Sequence, residues 1–349
     1  MKVISIVGAR PQFIKLAPFS REIRKQNTEV IIHTGQHFDH EMSNLFFNEL
    51  AIPKPKKNLN IHSGNHGSQT GRMIIELEKE LLTEKPDAVV IFGDTNSTLA
   101  SSVACSKLHI PSIHIEAGLR SFNRKMPEEI NRVISDHTSD LLFAPTESAM
   151  DNLAKEGLQK KSFLTGDIMV DSLQLALEIT ENRSSSNIPD DDYYLLTLHR
   201  PYNVDDTTIL KKILSALSEL KGKVIFAVHP RTRKKIEENN FFIGNNIQMI
   251  KPVGYIEFVQ LQKYAHKIIT DSGGIQKEAY ILRRPCITLR PETEWVDTVK
   301  SGWNLLLNPQ TEKTMAGKIK EFMPSDEQVN IFGKNVASRM VEIINKKVV

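Results

Sequence analysis

Short apolar, β-branched runs alternate with longer segments of helical periodicity, and this alternation limits the possible folds most strongly. In the first half, strands are predicted at residues 3–7, 30–33, 88–92, 112–115 and 141–143. Helical patterns lie between most of them, around residues 14–25, 69–82 and 95–107. A repeated strand–helix–strand order is typical of a parallel sheet with helices on both faces. The sequence therefore predicts an α/β fold.

The same alternation begins again after Gly166. Strands are predicted at residues 193–198, 224–228, 247–250, 267–270, 286–289 and 305–307. We place a domain boundary near Gly166, which gives domains of residues 1–166 and 167–349, and interpret the polar stretch 184–192 as a surface loop. A final helical pattern, 326–344, is compatible with either half. Two similar halves imply a cleft between them, where ligand pockets preferentially form.

Composition limits the partners. With 349 residues, of which 40% are hydrophobic and 25% charged, the chain is long enough for two globular domains. A formal net charge of +3 is too small to indicate nucleic-acid binding, but it suits an anionic small molecule.

The sequence also indicates a compartment. No apolar run approaches the roughly 18 residues of a membrane helix, and Arg10, Pro11 and Lys15 interrupt the N-terminal run, so we expect a strand there and not a signal peptide. The only cysteines, Cys105 and Cys286, lie in apolar surroundings without a CxxC pair, which is typical of reduced thiols. We expect a soluble cytoplasmic protein without a membrane or nucleic-acid partner.

Acidic residues stand at three sites where the first half could bind a ligand. Glu116 and Asp94 each come just after a predicted strand, and Glu128 follows Pro127 at a predicted helix start. Because ligands of open α/β sheets bind beyond the carboxyl ends of the strands, we expect these carboxylates in one crevice. Each acid alone is as compatible with a helix cap or a solvated surface as with catalysis. Their joint placement favours a catalytic role for the three acids.

The turn after the first strand is basic but lacks a dinucleotide motif. GxGxxG is absent from the segment that begins at Gly8, so a nicotinamide or flavin cofactor is not favoured. Arg10, Lys15 and the N–H groups of the following helix would suit a phosphate or diphosphate. An ordinary surface arginine and lysine are an equal alternative from this segment alone.

Two histidines of the second half occupy equivalent places. His199 and His229 each follow a predicted strand, with Arg200 and Arg231 within two residues of them. A lone histidine is more often structural than catalytic, but the repeated pairing with arginine indicates an anion.

The most specific single motif is the turn Ser272-Gly273-Gly274 between a predicted strand and helix. It is not a Walker loop, because GxxxxGK[ST] is absent. Backbone N–H groups there would bind a phosphate that glycine allows to come close. Glu278, on the following helix, would accept the two hydroxyls of a ribose.

Metal and nucleophile motifs are missing. His33, His37 and His40 cluster before Glu41, but the order does not match the HExxH zinc motif. No GxSxG elbow or Cys/His pair indicates a covalent nucleophile. We expect neither a metal nor a cofactor.

In this order, the motifs resemble those of the non-hydrolysing UDP-N-acetylglucosamine 2-epimerase family over essentially the whole chain. The resemblance rests on GARPQFIKLAP, TGQH, FGDTNSTLA, HIEAGLRS, PEEINR, the LHR and VHP histidines, and TDSGGIQKEA. It implies two Rossmann-like domains as in GT-B glycosyltransferases, a homodimer, and a UDP-sugar in a central cleft.

The resemblance also implies residue roles. The implied catalytic group is Asp94, Glu116, Glu128 and His199, and Arg10 and Lys15 would contact the substrate from the first domain. UDP would be bound by His229, Phe258, Ser272, Gly273, Gly274 and Glu278.

Three segments depart from the family pattern. Ala9 and Gln12-Phe13 replace a more frequent threonine and Glu-Ala or Glu-Ile, and Trp295 stands where many members have arginine. Both changes resemble a branch that includes epimerases of 2,3-diacetamido-glucuronate sugars, so the exact sugar stays open. The segment after Gly35-Gln36-His37 is longer than in members with an allosteric UDP-GlcNAc site, which leaves that site open as well.

The expected reaction is interconversion of UDP-GlcNAc and UDP-ManNAc, for synthesis of a cell-surface polysaccharide precursor. The C2 proton lacks an adjacent carbonyl, so elimination of UDP across C1–C2 offers a route that needs a base, an acid and cations for the leaving diphosphate. The alternatives are a 2-epimerase of the diacetamido-uronate, a GT-B glycosyltransferase, and a non-catalytic nucleotide-sugar sensor.

Overall fold

Two compact units make up the protein in a computed structural model, which describes residues 1–36, 46–181, 189, 192–324 and 327–348. Unit 1 comprises Met1–Leu175 and Ile331–Val349, and unit 2 comprises Ala176–Asn330.

Unit 1 is built on a parallel sheet. Its strands are β1 Lys2–Val7, β2 Thr28–His33, β3 Lys57–Asn58, β4 Ala88–Phe92, β5 Ser112–Ile115, β6 Leu141–Ala144 and β7 Ser162–Leu164. They are ordered β3-β2-β1-β4-β5-β6-β7. Every residue of β4 is buried, as expected of a strand covered on both faces, whose sequence is a continuous apolar run.

Helices cover this sheet. They are α1 Arg10–Ile23, α2 His66–Glu84, α3 Asn96–Leu108, α4 Pro127–Thr138 and α5 Glu147–Lys155, while α6 Met169–Glu181 begins in unit 1 and ends in unit 2. In α2, Met73, Leu77 and Leu81 recur every four residues, so they share one face of the helix. All three are fully buried in one core cluster with Ile4 and Ile91.

Unit 2 has a second parallel sheet. Its strands are β8 Tyr193–Thr197, β9 Lys223–Ala227, β10 Ile247–Ile250, β11 Lys267–Thr270, β12 Cys286–Leu289 and β13 Asn304–Leu307, ordered β10-β9-β8-β11-β12-β13. Its helices are α7 Pro201–Val204, α8 Thr207–Ser218, α9 Pro230–Glu238, α10 Tyr255–Tyr264, α11 Gly273–Ile281, α12 Val296–Lys300 and α13 Met315–Glu321.

Polar side chains stabilise two helix ends of unit 2. Asp206 caps α8, accepting from Thr208 N and Ile209 N. The Lys267 ammonium donates to the carbonyls of Ile319 and Lys320 at 2.9 and 2.8 Å, so a cation stabilises the last turn of α13. Burial lowers the pKa of Lys267.

The C-terminal helix α14 (Val336–Lys347) packs against α1 of unit 1. Val336, Met340 and Ile344 are buried at intervals of four residues, which is one face of a helix. The helix begins later than the predicted pattern 326–344, because Asn335 before it has a left-handed backbone (φ 50°).

The division between units lies elsewhere than the predicted boundary at Gly166. Asp167 N donates to Phe332 O at 2.9 Å, and Asp171 Oδ2 accepts from Ala337 N at 2.7 Å, so the segments that flank unit 2 bond to each other. Residues 167–175 and 331–349 lie in unit 1, and the final helix, which the sequence left compatible with either half, packs on the first.

The α/β class and the parallel order of both sheets are confirmed. Strands β3 and β7 were not predicted, because two and three residues are too few to show a periodicity. The predicted loop 184–192 lies outside the described residues apart from Pro189 and Asp192. Within the described ranges, no helix is both long and apolar enough to cross a membrane.

Candidate active site

Adjacent strands present the predicted carboxylates of unit 1. Glu116 follows β5 directly, and Asp94 follows the neighbouring β4 after Gly93. Since both strands run in the same direction, both acids lie at the carboxyl edge of the sheet, as the sequence predicts.

Lys15 and Glu116 form an ion pair at this edge, and their side chains are 8% and 9% exposed. The pair lies against Gly93, where an added Cβ would be 3.2 Å from both Glu116 Oε2 and Lys15 Nζ. Gly93 also has a left-handed backbone (φ 65°), so glycine suits this turn for two reasons. Lys15 was predicted as a substrate contact, and the structure joins it to the predicted catalytic acid.

Glu116 has an unusual backbone for a residue with a side chain. Its φ is 75°, a conformation that costs on the order of 1–3 kcal/mol and is frequent at functional sites. Two N–H groups, those of Glu116 and Ala117, donate to the Phe143 carbonyl at 3.1 and 3.0 Å. The end of β6 therefore holds this turn.

Arg132 links two acids. Its Nη2 lies 2.6 Å from Asp94 Oδ2, and its Nη1 lies 2.9 Å from Glu129 Oε2. Sequence reasoning missed Arg132, although the spacing of 129 and 132 on one helix places the pair on one face. The guanidinium fixes the Asp94 carboxylate at the edge of the sheet.

The neighbouring acids of α4 have different environments. Glu129 is buried and accepts from Ser121 N, Ser121 Oγ and Phe122 N at 2.9, 2.9 and 3.0 Å. Burial opposes ionisation of Glu129, but these hydrogen bonds and Arg132 outweigh it and lower its pKa.

Glu128 is only partly buried, in the first turn of α4. It makes no hydrogen bond or ion pair with another residue in the described part of the chain. Glu129 therefore supports the fold, and Glu128 is the acid of this helix that is available to a ligand.

The N-terminus of α1 explains one departure from the family pattern. Gln12 Oε1 accepts from Gly8 N and Ala9 N at 2.7 and 3.0 Å, and Gln12 Nε2 donates to Phe92 O at 2.8 Å. Gln12 is 1% exposed and Phe13 is fully buried. These residues stabilise the turn and the core, so they give no direct information on the sugar. Arg10 lies beside them, 5.0 Å from the centre of the Phe46 ring.

In unit 2, Asp271 orients His199. The carboxylate accepts from His199 N and Arg200 N at 3.1 and 3.0 Å, and its Oδ1 lies 3.0 Å from His199 Nδ1. Burial opposes ionisation of Asp271, but His199, Arg200 and Asn203 outweigh it and lower its pKa. The His199 side chain is 42% exposed, and with Nδ1 directed at Asp271 its Nε2 is the nitrogen left for a substrate.

The Ser272-Gly273-Gly274 turn begins α11 as predicted. A Cβ on Gly273 would lie 2.3 Å from Glu294 Oε1, whereas a Cβ on Gly274 would meet nothing within 4 Å. Arg290 Nη1 pairs with Glu294 Oε2 at 3.0 Å, and both side chains are buried. This charged pair beside the turn was not predicted.

The other predicted UDP contacts also lie in unit 2. Glu278 is buried and accepts from Gln262 Nε2 at 2.7 Å, and Phe258 packs against the core cluster of β8 and β11. Burial and, to a smaller extent, the Glu278 carboxylate raise the pKa of Tyr255 well above its ordinary value. His229 caps α9, its Nδ1 accepting from Arg231 N at 3.2 Å.

Trp295, the second departure from the family pattern, is buried under a lysine. The Lys277 ammonium lies 4.2 Å from the centre of its ring, and the two residues are 2% and 3% exposed. A cation–π contact therefore occupies the position that is arginine in many members.

His33, Cys105 and Cys286 have structural environments. His33 Nδ1 accepts from Gly35 N at 2.8 Å, and His37, His40 and Glu41 lie outside the described residues. No group of His, Cys, Asp and Glu side chains suited to a metal occurs among the residues that the structure describes. Burial raises the pKa of Cys105 and of Cys286 to about 12, so both thiols are unreactive at neutral pH.

Comparisons with known proteins agree with this arrangement. Residues 21–345 match the family model described as UDP-N-acetylglucosamine 2-epimerase. The chain is 52% identical over 355 residues to a UDP-N-acetylglucosamine 2-epimerase homolog of Methanococcus maripaludis, with 99% of each chain covered. It is 46% identical over 363 residues to the UDP-2,3-diacetamido-2,3-dideoxy-D-glucuronate 2-epimerase of Pseudomonas aeruginosa, covering 99% of this chain and 100% of that one.

A solved structure is similar as well. The crystal structure of Methanocaldococcus jannaschii UDP-GlcNAc 2-epimerase in complex with UDP-GlcNAc and UDP superposes with a TM-score of 0.90 at 46% identity, over 99% of this chain and 100% of that one. The predicted pair of Rossmann-like domains is thereby confirmed as the GT-B-like fold of these enzymes.

Proposed function

The chain belongs to the UDP-N-acetylglucosamine 2-epimerase family and is an isomerase, and we propose that it interconverts UDP-GlcNAc and UDP-ManNAc by eliminating UDP and adding it back. The C2 proton of the sugar has no adjacent carbonyl to stabilise a carbanion. Loss of UDP from C1 relieves this difficulty, because diphosphate is a good leaving group when cations and N–H donors stabilise it. Re-addition after protonation of the opposite face gives the epimer.

The observation that most supports this proposal is the pair of acids at one sheet edge, together with an acid of α4 that has no partner among the described residues. Glu116 is paired with Lys15, and Asp94 is paired with Arg132, while Glu128 is unpaired among the described residues. Two proton transfers at C2 need positioned acid–base groups. We assign Glu116 and Glu128 to proton transfer and Asp94 to the same catalytic group.

We assign the nucleotide to unit 2. The N-terminus of α11, with Ser272, Gly273 and Gly274, would bind the diphosphate, because backbone N–H groups and the helix dipole favour an anion. His199, oriented by Asp271, would protonate or bind the leaving UDP oxygen. The remaining assigned UDP contacts of unit 2 are His229, Phe258 and Glu278, whereas Arg10 of unit 1 is assigned, with Lys15, to substrate binding.

The sugar is proposed as UDP-GlcNAc, the substrate named for the similar crystal structure. The relative at 46% identity that is named for the diacetamido-glucuronate supports a second candidate, the same 2-epimerisation on that uronate. Trp295 stands where arginine is frequent in the family. Its contact with Lys277 is therefore the feature of unit 2 that would bear on the choice between the two sugars.

Incubation with UDP-GlcNAc alone in deuterated water tests the reaction. The proposal expects UDP-ManNAc with deuterium at C2 and none from Glu116→Gln. UDP released only when an acceptor is added would indicate a glycosyltransferase, and binding without turnover would indicate a sensor. Side-by-side turnover of the diacetamido-uronate tests the sugar, since a strong preference for it would replace UDP-GlcNAc and leave the mechanism unchanged.

We further propose that the enzyme is a homodimer that works in the cytoplasm and supplies an amino-sugar precursor for a cell-surface polysaccharide. Light scattering coupled to gel filtration tests the dimer, which a monomer mass would contradict.

A further inference from the structure

A buried histidine lies directly behind the two acid-bearing turns of unit 1. His114, on β5, lies with its Nε2 2.7 Å from the Gly93 carbonyl and its Nδ1 2.7 Å from Asp136 Oδ1. Asp136, on α4, accepts from Gly118 N at 3.0 Å through its other oxygen. Both side chains are fully buried. One pair of side chains thus bonds to the residue before Asp94 and to the turn just after Glu116.

These partners determine where the protons of His114 lie. A carbonyl oxygen only accepts, so Nε2 must donate to Gly93. The other oxygen of Asp136 accepts from Gly118 N at 3.0 Å and lies 2.7 Å from Arg120 Nη1, and both contacts favour the ionised carboxylate. An ionised carboxylate also only accepts, so Nδ1 must donate as well. A ring that donates from both nitrogens is an imidazolium.

The surrounding charges suit an imidazolium. Arg120 Nη1 lies 2.7 Å from Asp136 Oδ2, and Arg120 Nη2 lies 2.8 Å from Glu156 Oε2. With His114 charged, two buried cations face two carboxylates, as burial of charge requires. Two more titratable side chains lie at the rim: Lys161 Nζ donates to the Asp136 carbonyl at 2.9 Å, and His137 Nε2 lies 3.1 Å from Glu156 Oε2.

The turns that this pair contacts need support. Gly93, Glu116 and Gly118 have φ values of 65°, 75° and 82°, all left-handed. A non-glycine residue persists in this region only where its surroundings hold it. The pair therefore contacts Gly93, which lies beside the Glu116 carboxylate, and Gly118, two residues after Glu116.

We propose that His114 and Asp136 form an imidazolium–carboxylate pair that positions the turns of Asp94 and Glu116 for proton transfer. The pair does not touch substrate, so both are positioning residues. The inference rests on the proposed function, because it assumes that these acids transfer protons.

The charge of His114 is measured on the parent enzyme by nitrogen-15 NMR of its histidine rings. The His114 signals, assigned through contact with the Gly93 α protons, should show two protonated nitrogens at about pH 7.5, where an unperturbed histidine is mostly neutral. A neutral tautomer at that pH would overturn the proposal without any variant.

Positioning is tested by His114→Gln and Asp136→Asn, with exposed His62→Gln as the control. Each of the first two should lower kcat about 10-fold or more and change the pH profile of kcat, while the Kd for UDP stays at the parent value. Parent kcat and parent pH profile in a folded His114→Gln enzyme would overturn the proposal.

The Glu116→Gln and His114→Gln variants distinguish failure of the positioning pair from failure of the proposed function. Full turnover by Glu116→Gln would refute the catalytic assignment while leaving the imidazolium result unaffected. Loss of turnover by Glu116→Gln together with parent kinetics of His114→Gln would refute the positioning pair alone.

Discussion

The Asp271 carboxylate contacts His199 twice: it accepts the backbone N–H of His199 at 3.1 Å and lies 3.0 Å from the ring Nδ1. The double contact fixes both the turn after β8 and the orientation of the ring. Asn203 Nδ2 donates to the same carboxylate at 3.1 Å and to Leu289 O at 2.9 Å, so the turn is tied to β12 as well. The turn that carries His199 is therefore held firmly, and the ring directs its Nε2 away from Asp271.

Asp271→Asn is expected to lower kcat about 10-fold or more, because the amide can present its N–H to Nδ1 and stabilise the wrong tautomer. The pH profile of kcat should shift as well, which a purely structural role would not cause. Steady-state kinetics between about pH 6 and 9 measure both. A lowered melting temperature with unchanged kcat and pH profile would contradict the role of the pair.

The adjacent acids of α4 provide a matched pair of variants. Glu128→Gln should lose about 10²–10⁴-fold in turnover, the usual worth of a general acid or base, with an unchanged melting temperature. Glu129→Gln should instead destabilise the fold by roughly 1.5–3 kcal/mol, because it weakens hydrogen bonds to a buried charged group. Glu116→Gln should behave like Glu128→Gln. Near-parent turnover by both Glu116→Gln and Glu128→Gln would refute the catalytic assignment.

Arg132→Lys tests the bridge between Asp94 and Glu129. A lysine has one ammonium and lacks the planar fork of arginine, so it cannot hold both carboxylates in the observed geometry. We expect lower kcat and lower thermal stability together, with UDP affinity unchanged. Calorimetric titration with UDP, alongside kinetics and thermal melts, checks all three. A change confined to UDP affinity would show that Arg132 acts on the nucleotide and not on Asp94.

The phosphate turn is tested by UDP affinity. Ser272→Ala should remove a hydrogen bond to a charged group worth about 1.5–3 kcal/mol, or roughly 10- to 150-fold in Kd. Gly273→Ala should weaken UDP binding more than Gly274→Ala, because only the first Cβ meets Glu294. Isothermal titration calorimetry measures each constant. Parent affinity in Ser272→Ala, or equal losses in the two alanine variants, would contradict this assignment.

Lowering the pH below about 5 should destabilise the folded protein. Asp136, Asp271 and Glu129 have lowered pKa values in the folded state. The unfolded chain, with ordinary values of about 4, therefore takes up protons first as the pH falls. Their stabilisation is complete above about pH 5 and is lost as the pH falls through the folded-state values.

Urea midpoints at about pH 7, 5, 4 and 3 measure this loss. The decline should be shallower in Glu129→Gln, which lacks one of the three carboxylates. A midpoint that stays constant down to about pH 3 would contradict the expected linkage.

Local sequence patterns are sufficient to predict the α/β class and the strand ends at which candidate catalytic and binding residues lie. Apolar runs such as that of β4 and the four-residue period of Met73, Leu77 and Leu81 are local signals, because each depends on the faces of one element. Glu116 and Ser272 could likewise be placed at strand ends from neighbouring residues alone. Trp295 is distinguished in the sequence only because it departs from a family pattern.

Which of these residues contact one another depends on packing between separate elements. Lys15 meets Glu116, Arg132 meets Asp94, and Asp271 meets His199 only when separate strands and helices pack side by side. Periodicity also could not distinguish Glu128 from Glu129, since both acids suit the start of a helix. Burial and the hydrogen bonds from Ser121 separate them. Pairing and burial arise from contacts between residues distant in the chain, so they cannot be predicted from local sequence patterns.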